Sequence, residues 1–578
     1  MIGTADDVPR FERRLFDPSR RISRIGDGSL GGKARGLVTA ARVLAEQRDA
    51  IATPGLVADV PALVVVATSV FESFLDRNDL RPLLAEEPPD AEIALAFGRA
   101  TLPTEWLGDL RSLAEEARVP LACRSSSALE DALGRPFAGV YETKMIPGNQ
   151  PDVAARFRSL VDAIKFVYAS TFLQAARDYR RAAGQLPAPE TMAVVIQEVV
   201  GRRHGERFYP DVSGVARSYG FYPVGPATPD EGVVDLAIGL GKTIVDGGLC
   251  WTFSPAHPRI GPPVGSVRER IDTTQSQLWA VNVGPPPPHD PMAETEYLVQ
   301  ASLADAEADG TLRLAASTYD AGSDRLVAGT GRPGPRVLDF APILSWGELP
   351  LVPAVRKLMA ACEDALGAPV EIEFALSLPE GKPARFGFLQ VRPLVVSHEA
   401  VIVDEALLTG TRAVAASTTA LGNGRQEVED VVYVDPAAFD VRLTPAIALE
   451  IGSLNRALVE TGRPYLLIGF GRWGSSDPWL GIPVRWDQIA GARAIVEATL
   501  PQMSPDPSQG SHFFHNLSSF SVLYLSVPHG RGREIDWAWL AAQEVVARTD
   551  HVLHVRVARP LVVAVDGRTR RGVALRPA

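Results

Sequence analysis

Two strands joined by a short turn near residue 380 restrict the fold of this chain more than any other feature. The segments PVEIEFAL and FGFLQVRPLVV flank the turn PEGK, a pattern that predicts two adjacent strands. Because side chains alternate along a strand, Glu371 and Glu373 point to one face of the first strand. By the same rule Gln390 and Arg392 point to one face of the second strand. The strand pair therefore brings together two carboxylates, an amide and a guanidinium.

This polar group has two interpretations. Carboxylate and amide oxygens are ligands for Mg²⁺, and a guanidinium stabilises the charge that develops on a transferred phosphoryl group. The four side chains therefore fit a Mg²⁺–phosphate centre. The alternative is a cross-strand salt bridge on a solvated face, and both interpretations stay open on these residues alone.

A glycine-rich loop, Gly28–Gly36, runs into an amphipathic helix. Small residues let backbone N–H groups approach an anion, and a helix N-terminus adds a favourable dipole. Lys33 lies in this loop, where it would neutralise phosphate charge. The GxxxxGK[ST] spacing of a Walker A loop is absent, so an ordinary glycine-rich turn is the alternative.

Lysine is scarce in this chain. Only six of the 58 basic residues are lysines: Lys33, Lys144, Lys165, Lys242, Lys357 and Lys382. Arginine occupies nearly every position where either cation would serve, whereas a compact ammonium suits a tight site. Each remaining lysine is therefore a stronger functional candidate than its residue type alone indicates.

A second candidate for phosphate binding follows the predicted strand RVPLACRSSS. Arg124 leaves this strand into a hydroxyl-rich loop, which suits bidentate recognition of a phosphate. The alternative pairs Arg124 with Glu130 or Asp131, while the serines cap the next turn.

Taken together and in order, these motifs resemble the nucleotide-binding domain of phosphoenolpyruvate synthase and pyruvate phosphate dikinase. The resemblance spans roughly residues 20–395 and rests on this series of segments: Gly31-Gly32-Lys33, Arg124-Ser125-Ser126 with Glu130-Asp131 and Phe137-Ala138-Gly139, Met192 to Gln197, Gly239-Leu240-Gly241, Glu371-Ile372-Glu373, and Gln390-Val391-Arg392-Pro393. It implies an α/β (α+β) fold with a two-subdomain nucleotide-binding domain of the ATP-grasp type.

The resemblance also implies ATP and Mg²⁺ as cofactors and a role for each matching residue. Lys33 and Arg124 would contact the ATP phosphates, Thr143 would lie on the loop beside them, Gln197 and Val199 would hold adenine, Glu373 and Gln390 would hold Mg²⁺, Glu371 would support them, and Arg392 would face the transferred phosphoryl group. In-line phosphoryl transfer needs mainly positioning and charge stabilisation, so this set is sufficient for the ATP half of a reaction.

The sequence departs from those enzymes in three respects. Their phosphohistidine domain, marked by a Gly-Thr-Ser-His-Ala run, is not recognisable here. Residues 400–578 are too few for their pyruvate-binding barrel, which needs about 250 residues. The family's glycine loop usually ends in glutamate, whereas this chain has Lys242, which either removes a metal or phosphate partner or adds a phosphate ligand.

The C-terminal part carries two distinctive segments. Gly471–Pro478 (GRWGSSDP) is a loop that either binds an oxyanion or is pinned by a buried tryptophan. His512 and His515 stand three residues apart, and on a helix they would share a face suited to a metal, a general base or a phosphoryl acceptor. If the segment is extended, they point to opposite faces. His512 is the first choice for a phosphoryl acceptor within the chain.

These patterns predict three units: residues 1–215 and 216–398 as the two ATP-grasp-type subdomains, and residues 399–578 as a mixed α/β module. A long helical stretch is expected from about Pro151 to Gly184. The prolines of VGPPPPHDP predict an extended surface connection.

Composition limits the classes of partner. The net charge of −11 argues against a general binder of nucleic acids or anionic membranes. The sequence contains no stretch approaching the roughly 20 apolar residues of a membrane span, and the N-terminus does not resemble a signal peptide. Three widely spaced cysteines suggest no disulfide framework. We therefore expect a cytoplasmic protein, and the sequence leaves a homo-oligomer open.

The leading hypothesis is an ATP- and Mg²⁺-dependent phosphotransferase that acts on an unidentified small-molecule or protein acceptor. A ligase or condensing enzyme that uses a phosphorylated intermediate is a second hypothesis. A non-catalytic nucleotide sensor is the third, although a sensor would not need Arg392.

Overall fold

The computed structural model describes residues 8–17, 20–127, 130, 140–182, 190–220, 223–262, 267–272, 274–394, 401–475, 477, 479–500, 517, 522–530, 534–567 and 569–577. Three sheets of five, six and nine strands organise these residues, together with smaller sheets of four, three and two strands. The helices described are too short or too polar to cross a bilayer.

The first part of the chain alternates strands with helices. Its strands are β1 (Ile22–Ile25), β2 (Leu56–Asp59), β3 (Leu63–Val66), β4 (Leu121–Ser127), β5 (Thr143–Ile146), β6 (Met192–Glu198), β7 (Arg202–His204), β8 (Arg207–Tyr209) and β9 (Val212–Arg217). Its helices are α1 (Gly31–Glu46), α2 (Arg48–Ile51), α3 (Thr68–Arg77), α4 (Leu80–Ala85), α5 (Asp90–Arg99), α6 (Thr104–Glu116), α7 (Val153–Ser170) and α8 (Gln174–Ala182).

The middle part is richer in strands. Its strands are β10 (Val233–Ala237), β11 (Trp251–Phe253), β12 (Gln277–Asn282), β13 (Leu298–Ser302), β14 (Ala316–Asp320), β15 (Arg325–Ala328), β16 (Arg336–Leu338), β17 (Val370–Ser377) and β18 (Ala384–Pro393). Its helices are α9 (Lys242–Val245), α10 (Val267–Asp272), α11 (Leu303–Ala308), α12 (Ala341–Leu344) and α13 (Leu351–Leu366).

The C-terminal part is built around one large sheet. Its strands are β19 (Ala413–Ser417), β20 (Thr419–Leu421), β21 (Gly424–Val434), β22 (Tyr465–Phe470), β23 (Arg472–Trp473), β24 (Gly481–Ile482), β25 (Ala492–Ala498), β26 (Leu523–Val527), β27 (Glu544–Arg548), β28 (Val552–Asp566) and β29 (Arg571–Leu575). Its helices are α14 (Glu405–Thr409), α15 (Thr444–Glu460) and α16 (Trp537–Ala541).

The five-stranded sheet has the order β1-β3-β6-β4-β5. Its central strand β6 begins with the apolar run Met192 to Ile196, as expected for a strand covered on both faces. Val194 and Ile196 pack into the core on the α7 side, whereas Ala193 and Val195 pack into a second core that includes α1. Helix α1 therefore lies between this sheet and the next one.

The six-stranded sheet has the order β11-β10-β9-β17-β18-β2. The predicted strand pair forms β17 and β18, with Glu371 opposite Arg392 and Glu373 opposite Gln390. Strands β2 and β9 join this sheet although both begin before residue 216. The six-stranded sheet therefore contains strands from both sides of the predicted division at residues 215 and 216, and that division stays a prediction.

The nine-stranded sheet is formed by the C-terminal residues alone. Its order is β19-β29-β28-β21-β22-β25-β26-β20, and β27 also pairs with β28. Strands β21, β22, β25 and β26 run parallel, so their carboxyl ends meet at one edge. Helix α15 connects the first two of these strands, as expected for a parallel crossover.

One expected helix is divided. In place of a continuous helix over 151–184, α7 ends at Ser170 and α8 begins at Gln174. Ser170 Oγ donates to Val167 O (2.7 Å), and Thr171 N donates to Tyr168 O (3.3 Å). The first bond is made by a side chain, and the second joins residues three apart instead of the four of an α-helix. Together they satisfy carbonyl groups of the last turn, and α7 ends there.

Candidate functional site

A cavity of about 250 Å³ lies between the five-stranded and six-stranded sheets. Strands β4, β5 and β6 supply one wall, and β9, β17 and β18 supply the other. Six residues singled out from the sequence line it: Arg124, Thr143, Gln197, Val199, Lys242 and Glu373. The cavity therefore gathers side chains that are separated by up to 249 positions in the sequence.

Arg124 connects the two walls of the cavity. Its Nη2 donates to Glu373 Oε2 (3.0 Å) and to Gln390 Oε1 (2.9 Å), and its Nη1 donates to Leu389 O (2.6 Å). The sequence analysis considered Glu130 or Asp131 as the partner of Arg124. Glu130 instead bonds Lys33, and Asp131 lies outside the described residues.

The two carboxylate oxygens of Glu373 differ in their contacts. Its Oε1 is buried and has no hydrogen-bond partner among the described residues, while Oε2 accepts from Arg124. Leaving a buried acceptor unpaired costs about 1–3 kcal/mol, so such an atom calls for an explanation. An oxygen-lined position beside Gln390 Oε1 fits a hard divalent cation such as Mg²⁺.

Arg392 and Glu371 lie deeper in the same sheet and are both only 1% exposed. Arg392 donates from Nε to Glu371 Oε1 (2.8 Å) and also bonds it through Nη2. Arg217 Nε donates to the other oxygen of Glu371 (2.7 Å), and Arg217 Nη1 donates to Asp235 Oδ2 (2.8 Å). Burial alone would raise the pKa of Glu371, but the two guanidinium groups outweigh it and lower that pKa.

The cross-strand salt bridge considered from the sequence is therefore present, but it is buried rather than solvated. The sequence argument did not identify Arg217 and Asp235 as its further members. The one sequence signal was alternation. In the structure Glu371 lies opposite Arg217, and Asp235 lies on the following strand two residues beyond Val233, the residue that pairs with Arg217.

The glycine-rich loop is used for close packing. Gly31 has a φ of +77°, and a Cβ there would lie 1.9 Å from Ser126 O. A Cβ on Gly36 would lie 2.3 Å from Val391 O. These glycines let α1 approach β4 and β18, which are strands of the two sheets that line the cavity.

Lys33 fastens this arrangement through a buried ion pair. Its Nζ bonds Glu130 Oε1 and Ser125 Oγ (3.0 Å), and the Glu130 side chain is 1% exposed. Ser127 N donates to the other oxygen of Glu130 (2.9 Å). In this state Lys33 therefore links α1 to the loop after β4, and a phosphate would compete with Glu130 for it.

Lys33→Met is expected to lower the free energy of unfolding by about 3 kcal/mol, because it leaves the buried Glu130 carboxylate unpaired. The double variant Lys33→Met/Glu130→Gln should recover most of that stability. If Lys33 also binds phosphate, ATP affinity stays reduced in the double variant when it is measured by calorimetry. Recovery of both properties together would limit Lys33 to a structural role.

Another part of the cavity wall carries three acidic residues, Glu142, Asp246 and Glu294, together with Lys242. Of these four residues, the sequence analysis singled out Lys242 alone. Lys242 Nζ bonds Glu294 Oε2 (2.9 Å) and Asp246 Oδ2 (3.1 Å). Burial lowers the pKa of Lys242, but these two carboxylates outweigh it and raise that pKa. Only the i,i+4 spacing of Lys242 and Asp246 was available as a sequence signal.

Glu142 also lines this part of the cavity wall. The pKa of Glu142 is raised from its ordinary 4.5 to about 7. Burial is the main cause and the carboxylates of Glu294 and Asp246 add to it, whereas Lys242 and Arg485 oppose it. Between about pH 4.5 and 7, Glu142 is therefore protonated in the native state but ionised in the unfolded state. The stability contributed by this group is complete below about pH 4.5 and is lost as the pH rises through about 7.

Glu142→Gln is therefore expected to remove part of the pH dependence of stability. Between about pH 5.5 and 8, the wild-type free energy of unfolding should fall by about 2 kcal/mol more than that of the variant. Urea unfolding at the two pH values measures this difference. Parallel curves for the two proteins would show that Glu142 titrates near its ordinary value.

The C-terminal part contacts the cavity region through the short strand β23, which follows β22. Arg472 Nη1 donates to Gly247 O (3.4 Å), just beyond α9. Trp473 is fully buried and donates from Nε1 to Val496 O (3.1 Å), which supports the structural interpretation of the Gly471–Pro478 loop. His512 lies outside the described residues.

Residues 27–406 match the family described as pyruvate phosphate dikinase, AMP/ATP-binding domain. The match covers about two thirds of the chain. The chain belongs to this family. The predicted resemblance and the α/β fold with an ATP-grasp-type domain are thereby confirmed, and the family's AMP/ATP-binding domain agrees with the predicted use of ATP.

A protein of Bacillus subtilis (strain 168) named uncharacterized phosphotransferase YvkC is 26% identical to this chain over 194 residues. The aligned part is 33% of this chain and 20% of the relative. The chain thus spans about a fifth of the length of this curated relative.

Proposed function

We propose that this pyruvate phosphate dikinase family member is an ATP- and Mg²⁺-dependent phosphotransferase whose nucleotide lies in the cavity between the first two large sheets. The observation that carries the proposal is the group at one end of that cavity. There Arg124 bonds both proposed metal ligands, Glu373 and Gln390, and Glu373 keeps a buried oxygen without a partner among the described residues.

In this proposal adenine lies along β6 against Gln197 and Val199, which line the cavity with apolar neighbours. Arg124 and Thr143, which face each other in the register of β4 and β5, bind the triphosphate. Phosphate oxygens would replace the carboxylate and amide that Arg124 holds in this state. The release of Glu373 and Gln390 then coincides with the arrival of the nucleotide.

Glu373 and Gln390 are the residues that would hold Mg²⁺, which when bound neutralises phosphate charge and orients the transferred group. Arg392 lies two residue pairs further along, on the same face by alternation and opposite Glu371. Glu371 keeps this guanidinium oriented and charged, so that it would stabilise charge on the transferred phosphoryl group without reorganisation.

The acceptor is proposed to bind at the carboxyl edge of the parallel strands in the C-terminal module. Ligands of open α/β sheets commonly bind at such an edge. Arg472 begins β23, two residues after β22 ends at this edge, and it contacts Gly247 just beyond α9 in the nucleotide domain. A small-molecule acceptor held there would be close to the cavity wall.

Product analysis tests the proposed function. The protein is incubated with Mg²⁺ and ATP labelled separately at the β- and γ-phosphates. The nucleotides are then separated by chromatography, and the mass of the intact protein is measured by mass spectrometry. AMP with phosphate indicates dikinase chemistry, and ADP alone indicates a simple kinase or ligase. Binding of ATP without turnover, across a panel of phosphate, pyruvate and amine acceptors, would leave a nucleotide sensor and contradict the proposal.

The same experiment tests His512. Label that stays on the protein and is lost in His512→Ala would establish a phosphohistidine carrier. His529→Ala is the matched control, because His529 belongs to the same module and is half-exposed. Loss of label in both variants would exclude a specific role for His512.

A further inference from the structure

Lys144 is a buried lysine that the nucleotide site described above does not use. It lies on β5, the edge strand of the five-stranded sheet, and its side chain is 1% exposed. Thr143 and Met145 line the cavity, so strand alternation turns Lys144 to the opposite face. There its Nζ lies 5.2 Å from the ring centre of Phe166, on α7.

The ammonium of Lys144 is surrounded by one short segment of chain. Four oxygens lie within hydrogen-bond distance of Nζ: the backbone oxygens of Asp290 (3.1 Å), Pro291 (2.9 Å) and Ala293 (2.8 Å), and Glu296 Oε2 (2.7 Å). An ammonium has only three protons, so this set meets its full hydrogen-bonding capacity. A buried charge is tolerated when it is satisfied in this way.

The same segment closes on itself through Glu296, whose side chain is 2% exposed. Glu296 Oε1 accepts from Asp290 N (3.0 Å) and lies 3.2 Å from His289 Nδ1. The proline-rich connection expected to be a surface link is therefore anchored at its C-terminal end by a buried ion pair.

The anchored segment also reaches the nucleotide cavity. Glu294 lines the cavity and accepts from Lys242 Nζ (2.9 Å). Glu294 stands between Ala293, which Lys144 holds, and Glu296, which it pairs with. Contacts to one ammonium group thus hold the chain on both sides of Glu294.

We propose that Lys144 is a positioning residue for nucleotide binding, which fastens residues 290–296 so that Glu294 holds Lys242 at the cavity wall. The proposal rests on the proposed function, since it supposes that this cavity takes ATP. It also explains a lysine in an arginine-rich chain, because three convergent carbonyls and a carboxylate suit a compact ammonium better than a planar guanidinium.

The first test is Lys144→Met, with ATP affinity and steady-state kinetics as readouts. We expect the dissociation constant for Mg²⁺–ATP to rise about tenfold or more, with kcat at saturating ATP within about threefold of wild type. Lys165→Met is the matched control, because Lys165 Nζ bonds Gly98 O (3.0 Å) at an exposed site. Equal ATP affinity in wild type and Lys144→Met would overturn the positioning role.

A double-variant cycle separates positioning from general destabilisation. Glu294→Gln alters a side chain that is 32% exposed, so this variant is expected to fold. If Lys144 acts through Glu294, both single variants weaken ATP binding and the double variant is little worse than Lys144→Met. Independent, multiplying losses would show that the two residues do not act together, and would contradict the proposal.

Hydrogen exchange of the unmodified protein gives a test that needs no variant. The proposal expects the hydrogen-bonded amides of Asp290, Ala293 and Glu296 to exchange slowly before ATP is added. Rapid exchange that slows only with ATP would show that the nucleotide, not Lys144, orders the segment. If wild type fails to bind ATP, the proposed function fails, whereas normal wild-type binding with an unaffected Lys144→Met variant contradicts only the positioning role.

Discussion

Arg392→Ala is expected to reduce turnover by about 10³-fold or more while leaving ATP affinity within about tenfold of wild type. The reason is that the Arg392 guanidinium is held by Glu371 inside the sheet, two residue pairs along from the proposed metal ligands. A group in that place contributes mainly when charge develops on the transferred phosphoryl group, and much less to binding of the ground state.

The variant also loses a buried ion pair, which lowers the free energy of unfolding by about 3 kcal/mol. Glu371 retains Arg217 as a partner, so we expect the fold to persist. Arg336→Ala is a suitable control, because it removes a bidentate arginine–glutamate pair with Glu307 away from the cavity. Wild-type turnover in Arg392→Ala, measured on protein shown to be folded, would remove Arg392 from the mechanism.

Glu373→Gln is expected to lower turnover by about 10³-fold and to abolish the effect of Mg²⁺ on ATP affinity. The substitution keeps the size of the side chain but removes its charge, and it converts one carboxylate oxygen into an amide group. Arg124 would retain its bonds to Gln390 and Leu389, so the cavity wall should stay in place.

Kinetics and calorimetry with and without Mg²⁺ measure the effect of Glu373→Gln. Glu380→Gln is the matched control, since Glu380 is an exposed residue in the turn of the same strand pair. A variant with normal turnover and an unchanged response to Mg²⁺ would show that the buried oxygen of Glu373 does not hold the metal.

Local patterns in the sequence were sufficient for the elements that carry the site. The strand pair β17 and β18 follows from two apolar runs around a turn, and alternation places Glu371 with Glu373 and Gln390 with Arg392. The register that sets Glu373 opposite Gln390 is a finding of the structure. The glycine-rich loop leads into α1 as expected. The glycines, however, prove to allow close packing, because a Cβ on Gly31 or Gly36 would collide with backbone oxygens of neighbouring strands.

Ion pairs between distant segments were not accessible from the sequence. Lys33 bonds Glu130 across 97 positions, and Arg124 bonds Glu373 across 249 positions. Local spacing holds no information about such partners, which depend on how the two sheets face each other. For the same reason the motifs alone did not show that Glu294 lies beside Lys242, 52 positions away.

The lysine argument singled out six residues without showing what each one contacts. Lys144 is buried as expected of a lysine kept for a tight site, yet it bonds backbone oxygens of a proline-rich segment rather than a phosphate. The enclosed setting of the Lys144 ammonium agrees with that argument, whereas its partners come from the segment that runs past the edge strand β5.

Calorimetric titration of a non-hydrolysable ATP analogue, with and without Mg²⁺, tests the central claim most directly. The account predicts one binding site in the wild-type protein, with affinity increased by Mg²⁺. It also predicts at least tenfold weaker binding in Arg124→Ala and no increase by Mg²⁺ in Glu373→Gln. Absence of binding in the wild type, or equal binding in all three proteins, would contradict the assignment of this cavity as the nucleotide site.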